Sequence, residues 1–219
     1  PTRRSSDLPG STSSLERERA RGGRVKIIYS PFDAIELAKT HGDLDVIIVG
    51  VGFETTAPLM GLTLIEAHSR RLNNFSLYSM HKLMPPILRA LLDGGNQGID
   101  GFILPGHVAA IIGSRAFSFI AEDYGIPGVV TGFEPMDILE SVLFLMEMME
   151  RGEARVINGY TRVVKDGGNP RALQVMDRCF YPNVAPWRGF GSIPDSGLHI
   201  KSAFDDYNAA IKYHGCEPL

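Results

Sequence analysis

The 219-residue sequence predicts an α/β protein with mostly parallel sheets flanked by helices, and three observations carry that expectation. Short apolar runs of strand type alternate with helical segments, several helices begin at recognisable capping residues, and one strand, turn and helix pattern occurs twice. The size prior of roughly 100 to 200 residues per domain leaves one large domain or two small ones open.

The first eight residues, PTRRSSDL, have no periodicity; they read as a leader foreign to the fold and are set aside. Ser13 and Ser14 precede a charged helix at 15–21, and Gly22-Gly23 close it. Residues 24–29 form a β-rich run. Ser30, Pro31 and Asp33 then supply an N-cap, a first-turn proline and a capping-box acid, so a helix should run to about Thr40. Residues 46–51 make an unbroken apolar strand of the kind buried on both faces of a parallel sheet. Helix 57–71, strand 75–80, helix 86–93, strand 101–104, helix 114–124, strand 128–131 and helix 136–151 continue the alternation. Met146, Met148 and Met149 of the last helix read as core packing. Beyond Arg151 the pattern weakens into a turn-rich return segment.

Composition excludes several classes. With 44% hydrophobic and 21% charged residues, the chain resembles neither a disordered nor a fibrous protein. A net charge of -3, without basic runs interleaved with aromatics, gives nucleic acid no support as a partner. No apolar stretch reaches the roughly 18 residues of a membrane span. The two cysteines, Cys179 and Cys216, cannot form a disulfide framework and suit a reducing compartment, so the expected location is the cytoplasm.

The repeated pattern is VIIVGVGFE at 46–54 and GVVTGFE at 128–134. It is consistent with two similar lobes, and it places Glu54 and Glu134 at the carboxyl ends of strands, where open α/β sheets bind ligands. Each acid also opens a helix, where the dipole favours negative charge, so a structural and a functional carboxylate both remain open. His107 follows the Pro105-Gly106 turn at another strand end, and His81 ends the strand before it. Gly52 and Thr55 belong to a loop that partly mimics a dinucleotide-binding turn but lacks its third glycine. Glu54, His107 and Glu134 are the candidate catalytic residues; His81, Gly52, Thr55 and Gly106 are the candidate cofactor-binding ones. Without a His-x-x-x-His or Cys-x-x-Cys pair, no metal site is expected.

Taken in order, YSPFDA at 29–34, GFETTAP at 52–58, HKLMPP at 81–86, PGHV at 105–108, GFEPMD at 132–137, and WRGFG at 187–191 through SGLH at 196–199 resemble the motif series of the HypD family of hydrogenase maturation proteins. The resemblance covers nearly everything from Pro9 onward. It implies two similar α/β domains facing a cleft: residues 9–72 as part of the first, 73–165 as the second, and 166–219 returning to the first ahead of an iron-sulfur domain. It also implies an assembly scaffold more than a classical enzyme, on which iron gains its cyanide and carbon monoxide ligands as Fe(CN)2CO with HypC-type and HypE-type partners. A [4Fe-4S] cluster accompanies this in the full-length family. The family's thiols come from a Gly-x-Gly-Cys-Pro-x-Cys loop, from a cysteine just ahead of the Pro9 position and from a cysteine-rich tail. None of these occurs in the 219 residues, so the stretch by itself is expected to hold neither group. By motif matching, Glu54, His107 and Glu134 fall among polar residues lining the cleft, with His81 a further candidate, in supporting roles around thiolate-bound iron. Two other readings stay open: a small-molecule α/β enzyme using Glu54 and His107 as an acid–base pair, and a protein-interaction module docking through Pro-rich loops.

Overall fold

The computed structural model describes residues 13–95 and 98–213. After a short helix α1 (Leu15–Ala20) and helix α2 (Pro31–Thr40), strand β1 (Val46–Gly52) crosses through helix α3 (Ala57–Ser69) to strand β2 (Phe75–His81). β1 and β2 pair in parallel, with Val46 opposite Phe75 and Gly52 opposite His81. Helix α4 (Met84–Asp93) leads to a second parallel sheet in the order β3-β4-β5, made of Phe102–Pro105, Gly128–Thr131 and Val156–Asn158. Between those strands lie helices α5 (Gly106–Ile112), α6 (Phe119–Tyr124) and α7 (Pro135–Glu150). Helix α8 (Pro170–Cys179) then feeds an antiparallel hairpin, β6 (Phe180–Trp187) and β7 (Gly191–Ile200), and helix α9 (Ala209–Lys212) follows. The fold is therefore mixed α/β with mostly parallel pairing.

Local chemistry explains the starts. The Ser30 hydroxyl accepts from the Phe32 N–H at 3.3 Å while the Asp33 carboxylate accepts from the Ser30 N–H at 3.1 Å, so α2 opens with both orphan donors satisfied. One core gathers Ile35 of α2, Leu64 of α3, Ile48 of β1 and Leu77 of β2 around Phe180, Leu198 and Phe204 from the far end of the chain. A separate core joins Leu104, Val108, Phe117, Ile120 and Val130 on one face of the second sheet. Leu145 and Met148 of α7 cover Val129 on its other face.

Several sequence expectations change. Residues 24–29 adopt no regular element; no strand among the described residues pairs with them, and Ile28 instead packs on the first core. β1 is buried on one face only: Ile48 points inward, whereas Ile47, Val49 and Val51 are exposed. Helix 114–124 divides at Ser118 into a 3-10 turn, Ser114–Phe117, and α6. Pro105-Gly106 opens α5 instead of ending in a free turn. Residues 170–200 of the return segment form a helix and a hairpin, because the Asn169 side chain caps α8 by accepting from the Arg171 and Ala172 N–H groups at 3.1 and 3.2 Å, and because β6 finds β7. The methionine expectation holds for Met148 and fails for Met146 and Met149, which are exposed. Cys216 and the leader at 1–8 lie outside the described residues. No helix among the described residues is long and apolar enough to cross a membrane.

The Asn74 side-chain amide, just before β2, donates to the Ala38, His41 and Leu44 carbonyls at 2.9, 3.0 and 2.9 Å. It ties the end of α2 to the sheet. Replacing Asn74 with Ala strands these acceptors and is expected to lower stability by about 1 to 3 kcal/mol, read as a lower urea midpoint at unchanged slope.

Candidate functional site

The carboxyl ends of β1 and β2 are held together by a backbone bond from the Lys82 N–H to the Gly52 carbonyl at 2.9 Å. Gly52 sits at φ 153°, and a Cβ there would collide with the Thr56 hydroxyl, so the turn requires glycine. Thr56 in turn donates to the Phe53 carbonyl at 3.3 Å, and Thr55 is exposed. This tight turn drives Glu54 inward instead of leaving it at the surface.

Glu54 is fully buried. Its Oε1 accepts from the Met84 N–H at 2.9 Å, at the first residue of α4, and its Oε2 is buried without a partner. Burial pushes the carboxyl up to about 7, against the opposing pull of its own and the Met84 backbone N–H groups. At neutral pH it is therefore poised between acid and carboxylate. His81, one residue past the sheet's last exposed position, is also buried. The Ser79 hydroxyl donates to the Leu198 carbonyl at 2.7 Å, so its remaining lone pair faces His81 Nδ1 at 3.2 Å. That arrangement assigns the proton to Nδ1 and leaves Nε2, which has no partner, as a bare acceptor. Burial pulls the imidazole down to about 4, so it is neutral. Gly50 makes room for the ring, since a Cβ there would stand 2.8 Å from His81 Cε1.

The β6–β7 hairpin closes over this end. The Leu83 N–H donates to the Ser196 carbonyl at 2.9 Å, Lys82 Nζ donates to the Pro186 carbonyl at 2.9 Å, and Trp187 Nε1 donates to Ser196 Oγ at 2.8 Å. The Trp187 ring lies 6.3 Å from Phe53 and 5.9 Å from the Lys82 ammonium, which burial holds below its ordinary value. Lys82, Trp187 and Ser196 were not among the candidates. Each stands inside a motif already singled out, but nothing in sequence spacing shows that 82 and 187 meet.

A second group forms at the ends of β3 and β4. His107, exposed on the first turn of α5, meets Phe133 edge-on at 4.8 Å, with Tyr160 at 6.5 Å. Glu134 precedes α7 and pairs with Arg162 at 3.3 Å. Arg162 also forks both oxygens of the buried Asp137 at 2.7 Å and stacks 4.5 Å from the Tyr160 ring. The Arg162 hydrogen bonds hold the Asp137 carboxyl below the usual carboxylate range. Gly106 is a packing glycine, because a Cβ would strike the Thr131 carbonyl and stand 2.8 Å from the Tyr160 ring. Arg162 gave no sequence signal. Glu54 and His81 thus lie at the carboxyl ends of β1 and β2, and His107 and Glu134 at those of β3 and β4, each with its own partners; among the described residues no hydrogen bond links Glu54 to His107. Cys179 is buried, donates to the Gly61 carbonyl at 3.4 Å, and is pushed up to about 11. Among the described residues no three His, Cys, Asp or Glu side chains converge as a metal would need. The side chains of the described residues do not fit an iron-sulfur cluster.

A family model described as "HypD: Hydrogenase formation hypA family" matches residues 5–218. The chain belongs to the HypD family. It is 42% identical over 207 residues to the hydrogenase maturation factor HypD of Rhodobacter capsulatus, covering 94% of this chain and 55% of that protein. The HypD of Escherichia coli (strain K12) is 41% identical over 207 residues, with 94% and 56% covered. A putative hydrogenase expression/formation protein of Methanocaldococcus jannaschii is 36% identical over 201 residues, with 92% and 56% covered. The chain spans about 55% of the length of these relatives.

The two buried groups pull stability in opposite directions. Glu54, raised from 4.5 to about 7, contributes stability that is complete below 4.5 and lost as pH rises through 7. His81, lowered from 6.5 to about 4, contributes stability that is complete above 6.5 and lost as pH falls through 4. The wild type should therefore be nearly flat between these values. Glu54→Gln should lose stability on acidification and His81→Gln on alkalinisation, each by up to about 3 kcal/mol, in urea unfolding followed against pH. Variant profiles parallel to that of the wild type would show that neither group titrates as its burial requires.

Proposed function

We propose that this chain forms the α/β part of a hydrogenase maturation scaffold, working in the cytoplasm with HypC-type and HypE-type partners on iron that is acquiring cyanide and carbon monoxide. The observation that carries this reading is a buried acid and a buried imidazole, each with one unsatisfied polar atom, at the strand ends of a HypD-family chain. The iron group is cargo in this reading. Glu54, neutral below about 7, can donate Oε2–H to a cyanide nitrogen, and His81 Nε2 can accept a proton. Both are positioned by backbone: Glu54 by the Met84 N–H, His81 by Ser79 on Leu198. The β6–β7 hairpin lies against His81, with Phe180 6.3 Å from its ring. His107 and Glu134, exposed beside Phe133, would meet the cargo or a partner from the second sheet. The thiolates and the [4Fe-4S] cluster of the family are assigned to the part of the relatives' length that this chain does not match.

Among the described residues no hydrogen bond joins Glu54 to His107 as an acid–base pair would need; Glu54 bonds the Met84 N–H and His107 meets Phe133.

Glu54→Gln keeps an oxygen for the Met84 N–H but cannot titrate. In a family-length version expressed in a strain lacking its own HypD, the wild type should restore hydrogenase activity, and Glu54→Gln should lower it more than about tenfold at unchanged protein level. Full activity of Glu54→Gln would reduce Glu54 to a helix-start acceptor, and failure of the wild type to restore activity would sink the maturation reading. Reconstituted anaerobically with iron and sulfide, the 219-residue chain should show no cluster absorbance, whereas the family-length version should; produced in cells together with HypC-type and HypE-type partners, only the family-length version should carry cyanide and carbonyl stretching bands.

A further inference from the structure

Helix α7 is apolar around most of its circumference, a pattern ordinarily found in helices covered on all sides. One stripe, Asp137, Ser141, Leu145 and Met148, packs on the second sheet. It is anchored by Thr131 Oγ1 and Ser141 Oγ, which donate to the Asp137 carbonyl at 3.0 and 2.7 Å. The opposite stripe is bare. Met136, Leu139, Leu143 and Met146 are 63%, 63%, 55% and 54% exposed, at the i, i+3, i+7, i+10 spacing of a helix-pairing seam. Phe133 extends the stripe past the start of the helix.

Charge narrows the occupant. Besides the buried Asp137, α7 carries Glu140, Glu147 and Glu150 and no Lys or Arg. A second copy of the chain would lay these acids against their own equivalents, which like-charge repulsion disfavours. We propose that α7 docks an amphipathic helix of a partner protein, with an apolar stripe that fills the methionine and leucine seam and with Lys or Arg residues along its flanks. The unbranched Met136 and Met146 side chains adapt to such a stripe. This inference stands independently of the role assigned to Glu54 and His81.

The test uses the whole 219-residue chain and two synthetic peptides with the same helical leucine stripe, one flanked by lysines and the other by glutamates. In fluorescence anisotropy the lysine peptide should bind saturably and weaken as salt is raised, while the glutamate peptide should not bind. Leu139→Glu with Leu143→Glu, both on the solvent side, should weaken binding at least about tenfold with unchanged circular dichroism and melting. Glu140→Lys with Glu147→Lys leaves the seam intact and should weaken the lysine peptide by a similar factor. Absent or non-saturable binding, equal binding of the glutamate peptide, or no effect of either double variant overturns the proposal. So does a dimer of the chain that Leu139→Glu with Leu143→Glu dissolves, which makes a second copy the occupant. A family-length version that no longer binds the lysine peptide also overturns it, because the seam is then covered within its own chain.

Discussion

A carboxyl group withdrawn from water with one hydrogen bond to show for it is the constraint around which the first sheet's carboxyl end is arranged. The Met84 N–H is one of the orphan donors of α4, and Glu54 satisfies it from a turn thirty residues earlier. The same bond locks the register between the end of β1 and the start of α4. Its cost is that Oε2 is left buried without a partner, and burial offsets that cost by raising the carboxyl to about 7, which favours the uncharged acid. An acid kept protonatable near pH 7 is useful to chemistry in which protons and hydrogen-bond acceptors are handled out of water.

The hairpin is fastened to that end of the sheet. Ser196 accepts from the Leu83 N–H, Pro186 accepts from the Lys82 ammonium, and Phe180 lies 6.3 Å from the His81 ring. β6 and β7 also bring Phe180, Leu198 and Ile200 into the first core. The segment that closes the site is thus the one that completes the packing of the sheet bearing it, so a change at the hairpin is felt in stability and in the site together.

The twice-used Gly-Phe-Glu pattern shows how little a short motif fixes by itself. Glu54 follows a glycine whose backbone turns it under α4, and it ends buried and near neutral. Glu134 follows Gly132, packed against the Asp137 carboxylate, and ends exposed beside Arg162. A first turn of α7 that already holds an Arg162–Asp137 pair leaves Glu134 facing water. The same three residues between a strand end and a helix can therefore carry a buried acid in one place and an exposed ion pair in another.

The sequence by itself determined the α/β class, the alternation of strands β1 to β4 with helices, the caps at Ser30 and Gly22, and the positions of Glu54, His81, His107 and Glu134 at strand ends; the short strand β5 and helix α5 it did not show. The features it determined are local matters, set by periodicity of two or 3.6 residues and by side chains reaching their own backbone. Only the tertiary structure decided which of those residues are buried. It decided that residues 24–29 lack a strand partner, that 180–200 find each other as a hairpin, that Lys82 meets Trp187, and that Arg162 takes Asp137. It also left Ile47, Val49 and Val51 on one side of β1 and the seam of α7 uncovered, where apolar runs read alone suggest burial. Each of these outcomes depends on contacts between residues far apart in the chain, and neither spacing nor composition records such contacts.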